Sequence, residues 1–229
     1  MRVSGPKKKK KQSYHDFVIK NGRLIGDFEG LYTNEDDPWH QTSSEWRFDS
    51  RRVLALNWCE RLREKFGANK VVELGCGFGY LTEDLRKKGF NSLGIDISSA
   101  AILKAKTLHP DSSYINSDVS NSSLLSSFDA DIYILADITW YILDKLEEFI
   151  KNIKSKSIER ERGGGDSAFL MQLLAVYDPG VQQYGKEYFT NLDEILKYFD
   201  MNVLESAHIQ TNRSWDAQSQ GTFFVAKIL

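Results

Sequence analysis

The segment Val71-Val-Glu73-Leu-Gly75-Cys-Gly77-Phe-Gly79 joins a short apolar run to three glycines at alternate positions. The apolar run predicts a buried strand, and the glycines predict a tight turn from that strand into a helix. In such a turn, backbone N–H groups can approach a ligand that side chains would otherwise block. The segment therefore predicts a nucleotide-like cofactor at the end of a strand. Taken alone, it is equally compatible with a plain strand-to-helix connection.

Two aspartates follow the glycine turn at the intervals that a nucleotide site would use. Asp96 comes 19 residues after Gly77, at the carboxyl end of the next predicted strand, where its two oxygens can accept both hydroxyls of a ribose. Asp118 comes 22 residues after Asp96 and ends the third predicted strand. From there its carboxylate can reach the exocyclic amine of an adenine. The combination is a much stronger signal than the glycines alone.

From Lys70 onward, short apolar runs alternate with segments of helical period, which predicts an α/β fold. Parallel strands joined by right-handed crossovers give a sheet that is covered on both faces. The predicted strands are Val71–Leu74, Ser92–Ile95, Tyr114–Ile115, Ile132–Ala136 and Phe169–Leu174, followed by a final hairpin of Val203–Leu204 and Thr222–Ile228. The predicted helices are Leu81–Lys88, Ser99–Leu108, Tyr141–Ile153 and Asn191–Phe199.

The segment before the first strand has three parts. Residues 1–13 contain a run of five lysines and predict a disordered tail. Asn21-Gly22 lies between two short apolar runs and predicts a hairpin, because both residues tolerate positive φ. Thr42-Ser-Ser-Glu45 has the spacing of a capping box and predicts a helix that starts there, runs to about residue 66 and is closed by Gly67.

The composition is that of one globular domain. The 229 residues are 41% hydrophobic and 27% charged, and the formal net charge of −2 gives no global bias toward nucleic acid or anionic membranes. No apolar run approaches the roughly 20 residues that cross a bilayer, and the basic start lacks the apolar region of a signal peptide, so we expect a cytoplasmic protein. The two cysteines, Cys59 and Cys76, have no zinc-binding spacing.

Glu73 before the first glycine, the GxGxG spacing, Asp96 and then Asp118 together resemble the class I S-adenosylmethionine-dependent methyltransferase family. The resemblance spans roughly residues 70–229 and is most specific in the cofactor-binding half. A nicotinamide-dependent dehydrogenase is the alternative for a glycine-rich turn of this kind. The displaced third glycine and the preceding acidic residue favour the sulfonium cofactor.

The resemblance implies a Rossmann-like sheet of seven strands, six parallel and one antiparallel, with S-adenosylmethionine as cofactor and S-adenosylhomocysteine as product. In this family Asp96 would bind the ribose, Asp118 and Val119 the adenine, and Glu73 would support the methionine end. Cys76 is expected to fill space in the turn rather than act as a nucleophile. The implied cofactor-binding residues are Trp46, Arg47, Glu73, Gly75, Cys76, Gly77, Gly79, Asp96, Ile97, Asp118, Val119 and Asp137.

The N-terminal segment resembles the lid of nodulation-type and related small-molecule methyltransferases. The resemblance rests on Asp37-Pro-Trp39, Thr42-Ser and Trp46-Arg47, and it makes Trp46 and Arg47 lid candidates, with core packing as the alternative for Trp46. The implied organisation is a tail (1–13) and one methyltransferase domain (14–229), in which residues 14–66 form the hairpin and lid and residues 67–229 form the Rossmann-like core.

Methyl transfer needs a general base when the acceptor is a hydroxyl or a protonated amine. The two catalytic candidates are His40, in the acidic aromatic loop, and Asp137, after the fourth strand. The alternatives are a loop side chain for His40 and a cofactor contact or helix cap for Asp137. No metal site is expected, because Asp129, Asp131 and Asp137 lie in or beside one strand and do not obviously converge on an ion.

The expected acceptor is an oxygen or nitrogen of a small polar metabolite. Residues 177–189 are rich in aromatic and amide side chains and would suit a polar ring such as a sugar, although Gln182, Gln183 and Tyr184 could equally pack this loop on the sheet. Nucleic acid is an unlikely partner, because the motifs of DNA-methylating enzymes are absent from the sequence. The alternatives are a protein or RNA methyltransferase that uses the lysine tail, and a non-catalytic cofactor-binding module.

Overall fold

The computed structural model describes residues 14–43, 49–121, 128–174, 184–185, 187–210 and 220–228. Two short 3₁₀ turns, Thr139–Tyr141 and Leu143–Lys145, precede the sixth α-helix. In chain order the other elements are α1 (Tyr14–Phe17), β1 (Ile19–Lys20), β2 (Arg23–Leu24), α2 (Phe28–Asn34), α3 (Ser50–Phe66), β3 (Lys70–Leu74), α4 (Tyr80–Lys87), β4 (Asn91–Asp96), α5 (Ser99–Leu108), β5 (Ser113–Asn116), β6 (Ile132–Ala136), α6 (Leu146–Arg162), β7 (Phe169–Leu174), α7 (Leu192–Phe199), β8 (Asn202–Gln210) and β9 (Gln220–Lys227).

Within these residues, seven strands form one sheet in the order β5-β4-β3-β6-β7-β9-β8. β9 runs antiparallel to both of its neighbours, and the other strands are parallel to one another. This arrangement confirms the predicted α/β fold, including its single antiparallel strand. Strand order reverses at β3, because β4 lies on one side of it and β6 on the other. A crevice opens at the carboxyl ends of the strands at such a switch point.

Helices cover both faces of the sheet, as the alternating pattern predicts. Val71 of β3 packs in a cluster with residues of α3 and α4, whereas the next residue, Val72, packs on the opposite face with residues of α6 and α7. Trp58 and Phe149 are among the largest fully buried side chains of these two clusters. None of the described helices is both long enough and apolar enough to cross a membrane.

The predicted N-terminal hairpin is confirmed. Asn21 and Gly22 have φ values of 51° and 72° between the paired strands β1 and β2. Phe17, Val18, Ile19 and Leu31 form a small buried cluster, and Tyr141 from the turn after β6 packs against it. The hairpin and α2 are therefore joined to the carboxyl end of the sheet. The predicted disordered tail lies outside the described residues.

The predicted start of α3 at Thr42 is wrong. The helix begins at Ser50, because the Asp49 carboxylate caps it by accepting hydrogen bonds from the backbone N–H groups of Arg51 and Arg52. The hydroxyl of Thr42 instead donates to Asp37 Oδ2 at 2.6 Å. Residues 44–48, which include Glu45 of the expected capping box, lie outside the described residues.

The predicted helix Tyr141–Ile153 is also displaced. The two 3₁₀ turns occupy its first residues, and α6 extends from Leu146 to Arg162. Glu147 and Glu148 provide the negative charge that favours a helix N-terminus. The helix continues past Ile153 to Arg162 and is followed by Gly163 and Gly164, the second of which has a φ of 84°.

Asp131 joins the amino ends of β3 and β6 to the end of α6. Its Oδ2 accepts hydrogen bonds from the backbone N–H groups of Asn69 and Lys70, both at 2.7 Å, and its Oδ1 accepts one from Arg160 at 2.7 Å. Burial acts against the charge, but these donors outweigh it and keep the pKa of Asp131 below its ordinary value. Arg160 also pairs with Asp129 at 2.8 Å. Both aspartates therefore have structural partners.

We predict that Asp131→Ala lowers the free energy of unfolding by about 2–3 kcal/mol, because it leaves two strand-end amides and a guanidinium without their acceptor. Asp129→Ala is the matched control, since it removes the other carboxylate that binds Arg160. The side chain of Asp129 is 58% exposed, so its loss should cost less than about 1 kcal/mol. Urea unfolding measures the free energy of unfolding of both variants. Equal decreases would contradict the proposal that Asp131 stabilises the strand ends.

Candidate functional site

A cavity of about 530 Å³ lies at the carboxyl ends of β3, β4 and β6, where strand order reverses. This volume is within the roughly 300–1,000 Å³ that is typical of small-molecule sites. The sheet side of the wall includes Glu73, Gly75, Asp96, Asp118 and Asp137. The N-terminal segment covers the opposite side with Tyr14, Phe28, Tyr32, Trp39, His40 and Gln41.

The glycine turn is held by backbone hydrogen bonds to the neighbouring strand. The carbonyl oxygen of Ile95 accepts from the N–H groups of Gly75 at 2.8 Å and Cys76 at 3.0 Å. Gly75 has a φ of 81°, and a Cβ at this position would overlap the side chain of Ile138. Gly75 lines the cavity, as expected of a cofactor loop.

Cys76, Gly77 and Gly79 lie beside the cavity but are not part of its described lining. A Cβ at Gly77 would lie 2.6 Å from Gln41 Oε1, and a Cβ at Gly79 would meet the ring of Tyr114. The thiol of Cys76 is fully buried, and burial raises its pKa well above the ordinary value. These three residues thus make close packing possible, and Cys76 has the surroundings of an unreactive thiol.

Asp96 connects the turn after β3 to the turn after β4. Its Oδ2 accepts from Gly77 N at 2.8 Å, and its Oδ1 accepts from Ser98 N at 2.9 Å. Burial outweighs these bonds and raises the pKa of Asp96 to about 6. A carboxylate oxygen can accept more than one hydrogen bond, so Asp96 can still accept from a diol. Ile97 is 51% exposed and lines the same wall.

Glu73 is a second buried carboxyl group at the cavity wall. The hydroxyl of Thr82, on α4, donates to its Oε2. Burial raises the pKa of Glu73 to about 8, and the nearby charge of Asp96 adds to the shift. A cation bound in the cavity would favour the ionised form of this group.

Asp118 and the residues after it form the wall beyond β5. Asp118 Oδ1 accepts from the backbone N–H of Ser120 at 2.9 Å and from its hydroxyl at 2.6 Å, and Oδ2 lies 3.3 Å from the ammonium of Lys145. Burial opposes ionisation, but these partners outweigh it and lower the pKa of Asp118. Val119 is buried and also lines the cavity.

Asp137 follows β6 in a left-handed conformation with a φ of 58° and forms an ion pair with Arg51. Arg51 also binds the carboxylate of Asp49 through two hydrogen bonds, of 3.0 and 2.9 Å. Burial disfavours the guanidinium charge, but Asp137 and Asp49 outweigh it and raise the pKa of Arg51. An ion-paired carboxylate is a weaker base, so this pairing favours a binding role for Asp137 over proton abstraction.

Arg51 is a site residue that the sequence interpretation missed. The expected lid residues Trp46 and Arg47 lie outside the described residues. Arg51 and Arg52 both line the cavity, and Arg51 is the one that pairs with the site residue Asp137. Asp49, two positions before Arg51, is the local signal that could have identified Arg51, because an aspartate is a preferred helix N-cap. Placing the helix start at Asp49 instead of Thr42 puts Arg51 in the first turn of α3, which faces the sheet.

Aromatic side chains form the other end of the cavity. The rings of Phe28 and Tyr141 lie 4.9 Å apart, those of Tyr14 and Trp39 lie 5.7 Å apart, and all four residues are half-buried. The hydroxyls of Tyr14 and Tyr141 are 3.2 Å apart. His40 follows Trp39 with a φ of 55°, is exposed, and lines the same cavity. The structure therefore brings His40 and Asp137 to one cavity.

The loop predicted to bind the acceptor, residues 177–189, lies largely outside the described residues, which exclude Gln182 and Gln183. Tyr184 is half-buried and packs against the same cluster as Tyr141. The aromatic end of the cavity, which comes from the N-terminal segment and the turn after β6, was not predicted.

Residues 71–156 match a family model described as a methyltransferase domain. Among curated proteins, the ubiquinone biosynthesis O-methyltransferase of Leptothrix cholodnii is 38% identical over 72 residues, which are 31% of this chain and 30% of that protein. The protein of the same description from Acinetobacter baumannii (strain AYE) is 33% identical over 79 residues, 34% of this chain and 32% of that protein. The matches thus span about a third of the length of these relatives.

Solved structures resemble the chain over most of its length. The N-methyltransferase NodS of Bradyrhizobium japonicum, crystallised with S-adenosylhomocysteine, has a TM-score of 0.63 at 15% identity and covers 91% of this chain and 99% of its own. The magnesium protoporphyrin IX methyltransferase of Synechocystis, with bound S-adenosylmethionine, has a TM-score of 0.55 at 15% identity, with 83% and 84% coverage. At this level of identity the similarity is one of fold.

We predict that Glu73→Gln removes a pH-dependent loss of stability. The folded-state pKa of about 8 lies above the ordinary glutamate value of 4.5, so between these values the folded protein holds a proton that the unfolded chain releases. The free energy of unfolding of the wild type should therefore fall as pH rises through this window, and the variant should lack that fall.

The advantage of Glu73→Gln over wild type should grow by on the order of 3 kcal/mol between pH 5 and pH 7.5. Denaturant unfolding at the two pH values measures it. Glu64→Gln, at an exposed position of α3, is the control and should show no such growth. A constant difference between the wild type and Glu73→Gln would contradict the raised pKa.

Proposed function

We propose that this chain, whose residues 71–156 match a methyltransferase domain, is a class I S-adenosylmethionine-dependent methyltransferase that transfers a methyl group to a hydroxyl oxygen of a small ring-bearing acceptor. The observation that carries the proposal is the cavity at the reversal of strand order, which has carboxylates at one end and aromatic rings at the other. The acceptor itself is the part of the proposal that rests on the chemistry of the aromatic end.

The residues at the sheet end fit the parts of S-adenosylmethionine. Asp96 would accept the ribose hydroxyls, and Asp118 would accept from the adenine amine. Glu73 and Asp137 would attract the ammonium and sulfonium charges, and Arg51 would pair with the carboxylate. When bound, the cofactor supplies a methyl group on a sulfonium, from which a neutral thioether is displaced.

The protein's task is then to align the acceptor and exclude water. The four half-buried rings at the aromatic end, Tyr14, Phe28, Trp39 and Tyr141, offer faces and edges on which a ring can pack. The curated relatives are O-methyltransferases, which supports a hydroxyl oxygen as the acceptor atom. A phenolic or sugar ring meets these requirements.

His40 is the proposed general base. Its imidazole lines the cavity beside Trp39, and imidazole is the side chain most often used to take a proton from a hydroxyl. Asp137 is the less suitable base, because Arg51 holds it in an ion pair. We assign Asp137 to cofactor binding.

We predict that Asp96→Ala weakens binding of S-adenosylhomocysteine by about 1.5–3 kcal/mol, because the variant lacks a charged acceptor for the ribose hydroxyls. Isothermal titration calorimetry measures the affinity, and circular dichroism checks folding, since Asp96 also binds two backbone amides. Asp111→Ala, whose side chain is 78% exposed, is the control. Unchanged affinity in Asp96→Ala would contradict the proposed cofactor site.

We predict that His40→Ala lowers turnover by about 10²–10⁴-fold while S-adenosylhomocysteine affinity stays within about threefold, because a general base contributes this much to rate and little to cofactor binding. Turnover is measured with a methyl-labelled donor against catechols, phenols, hexoses and aromatic amines. His208→Ala is the matched control, since His208 lies on β8 beside Thr222 at 3.1 Å. Equal turnover of wild type and His40→Ala would show that His40 is a loop side chain and not the general base.

A further inference from the structure

Gln41 is a buried amide between two exposed residues, His40 and Thr42. Its side chain is 8% exposed, and its Oε1 accepts a hydrogen bond of 2.8 Å from the backbone N–H of Phe78, in the glycine turn. A glutamine is seldom buried unless its polar atoms are bonded. A side chain at Gly77 would collide with this oxygen, so Gly77 is what lets Gln41 reach the turn.

Residues 37–43, here named the strap, hold their own shape. Asp37 Oδ1 accepts from Gln41 N at 2.8 Å, and Asp37 Oδ2 accepts from Thr42 N at 2.8 Å and from the Thr42 hydroxyl. The backbone adds bonds from His40 N to Asp37 O and from Ser43 N to His40 O, both of 3.2 Å. These hydrogen bonds restrict movement within the strap, so a contact that fixes Gln41 also fixes the other residues of the strap.

The helix before the strap contacts the same side of the sheet. Glu29 of α2 accepts hydrogen bonds of 2.7 Å from the hydroxyls of Ser98 and Ser99, at the start of α5. The ring of Tyr32 packs on Phe78 at a centroid distance of 5.4 Å. The N-terminal segment therefore bridges the turns that follow β3 and β4, and the Gln41 bond is a direct polar contact between this segment and the glycine turn.

We propose that Gln41 is a positioning residue that docks the strap on the glycine turn and thereby retains a bound cofactor. The inference rests on the proposed function, because the ligand under the strap is taken to be the cofactor. Gln41 and Gly75 line the same cavity, so the strap closes it on the side of the turn. Breaking the bond between Gln41 and Phe78 would open the cavity on this side, so Gln41 slows the dissociation of a ligand held beneath the strap.

The test compares Gln41→Met, which keeps the length of the side chain but has no acceptor oxygen, with Gln41→Glu, which keeps an acceptor in either protonation state. Hydrogen–deuterium exchange of the Phe78 amide is measured on the ligand-free protein, and S-adenosylhomocysteine dissociation is measured by surface plasmon resonance. Gln41→Met should accelerate both by about tenfold, because a buried donor loses its acceptor. Gln41→Glu and the exposed-site control Asp36→Asn should stay within about threefold of wild type.

Two results would overturn the inference. The first is that the rates of Phe78 amide exchange and of S-adenosylhomocysteine dissociation in Gln41→Met both stay within twofold of the wild-type rates. The other is an equal loss in both Gln41 variants with lowered melting temperatures, which would mean that the residue only fills space. Failure of the proposed function is distinguishable: S-adenosylhomocysteine would then not bind the wild type. Exchange of the Phe78 amide would still depend on the acceptor oxygen, which would support docking of the strap.

Discussion

A single buried carboxylate, that of Asp96, ties together the two turns on which the cavity depends. Its oxygens accept from Gly77 after β3 and from Ser98 after β4, so the glycine turn and the start of α5 have a fixed separation. Burial of a charge is unfavourable unless donors compensate for it, and a pKa raised to about 6 means that the surrounding backbone amides compensate only in part. The carboxylate is therefore suited to accept further hydrogen bonds from a ligand, and its strongly perturbed pKa in a cleft is typical of functional sites.

The electrostatics of the cavity favour a ligand with positive groups. Among the described lining residues, the acidic side chains of Glu73, Asp96, Asp118, Asp137 and Asp144 outnumber the basic side chains of Arg51, Arg52 and Lys145. Arg51 and Lys145 already pair with acids of this set, and Arg52 pairs with Asp84. The two carboxyls with raised pKa values, Glu73 and Asp96, have no cationic partner among their described hydrogen bonds. A cationic ligand would favour their ionised forms.

The fold could be predicted from sequence because its signals are local. β3, β6 and β7 are short apolar runs, and their alternation with segments of helical period indicates parallel strands joined by crossovers. The contacts that complete the site are not local: Gln41 bonds Phe78 across 37 positions, Arg51 pairs with Asp137 across 86, and Tyr14 meets Tyr141 across 127. The hydrophobic periodicity of a sequence reflects local structure and does not predict contacts between residues so far apart in the chain. Gly77 and Gly79 show a second limit of sequence patterns. A run of glycines indicates positions where a Cβ does not fit, but it does not tell whether a ligand or another side chain occupies that space; here the side chains of Gln41 and Tyr114 do.

The division of the cavity matches the extent of the family-model match. The methyltransferase family model covers residues 71–156, which include the glycine turn, Asp96, Asp118 and Asp137. The strap and the rings of Tyr14, Phe28 and Trp39 lie outside it. Residues that bind a common cofactor share their chemistry across a family, whereas residues that choose an acceptor differ with the acceptor. The N-terminal segment carries three of the four rings and the Gln41 anchor, so under the proposed function this one segment would both contact the acceptor and close the cavity.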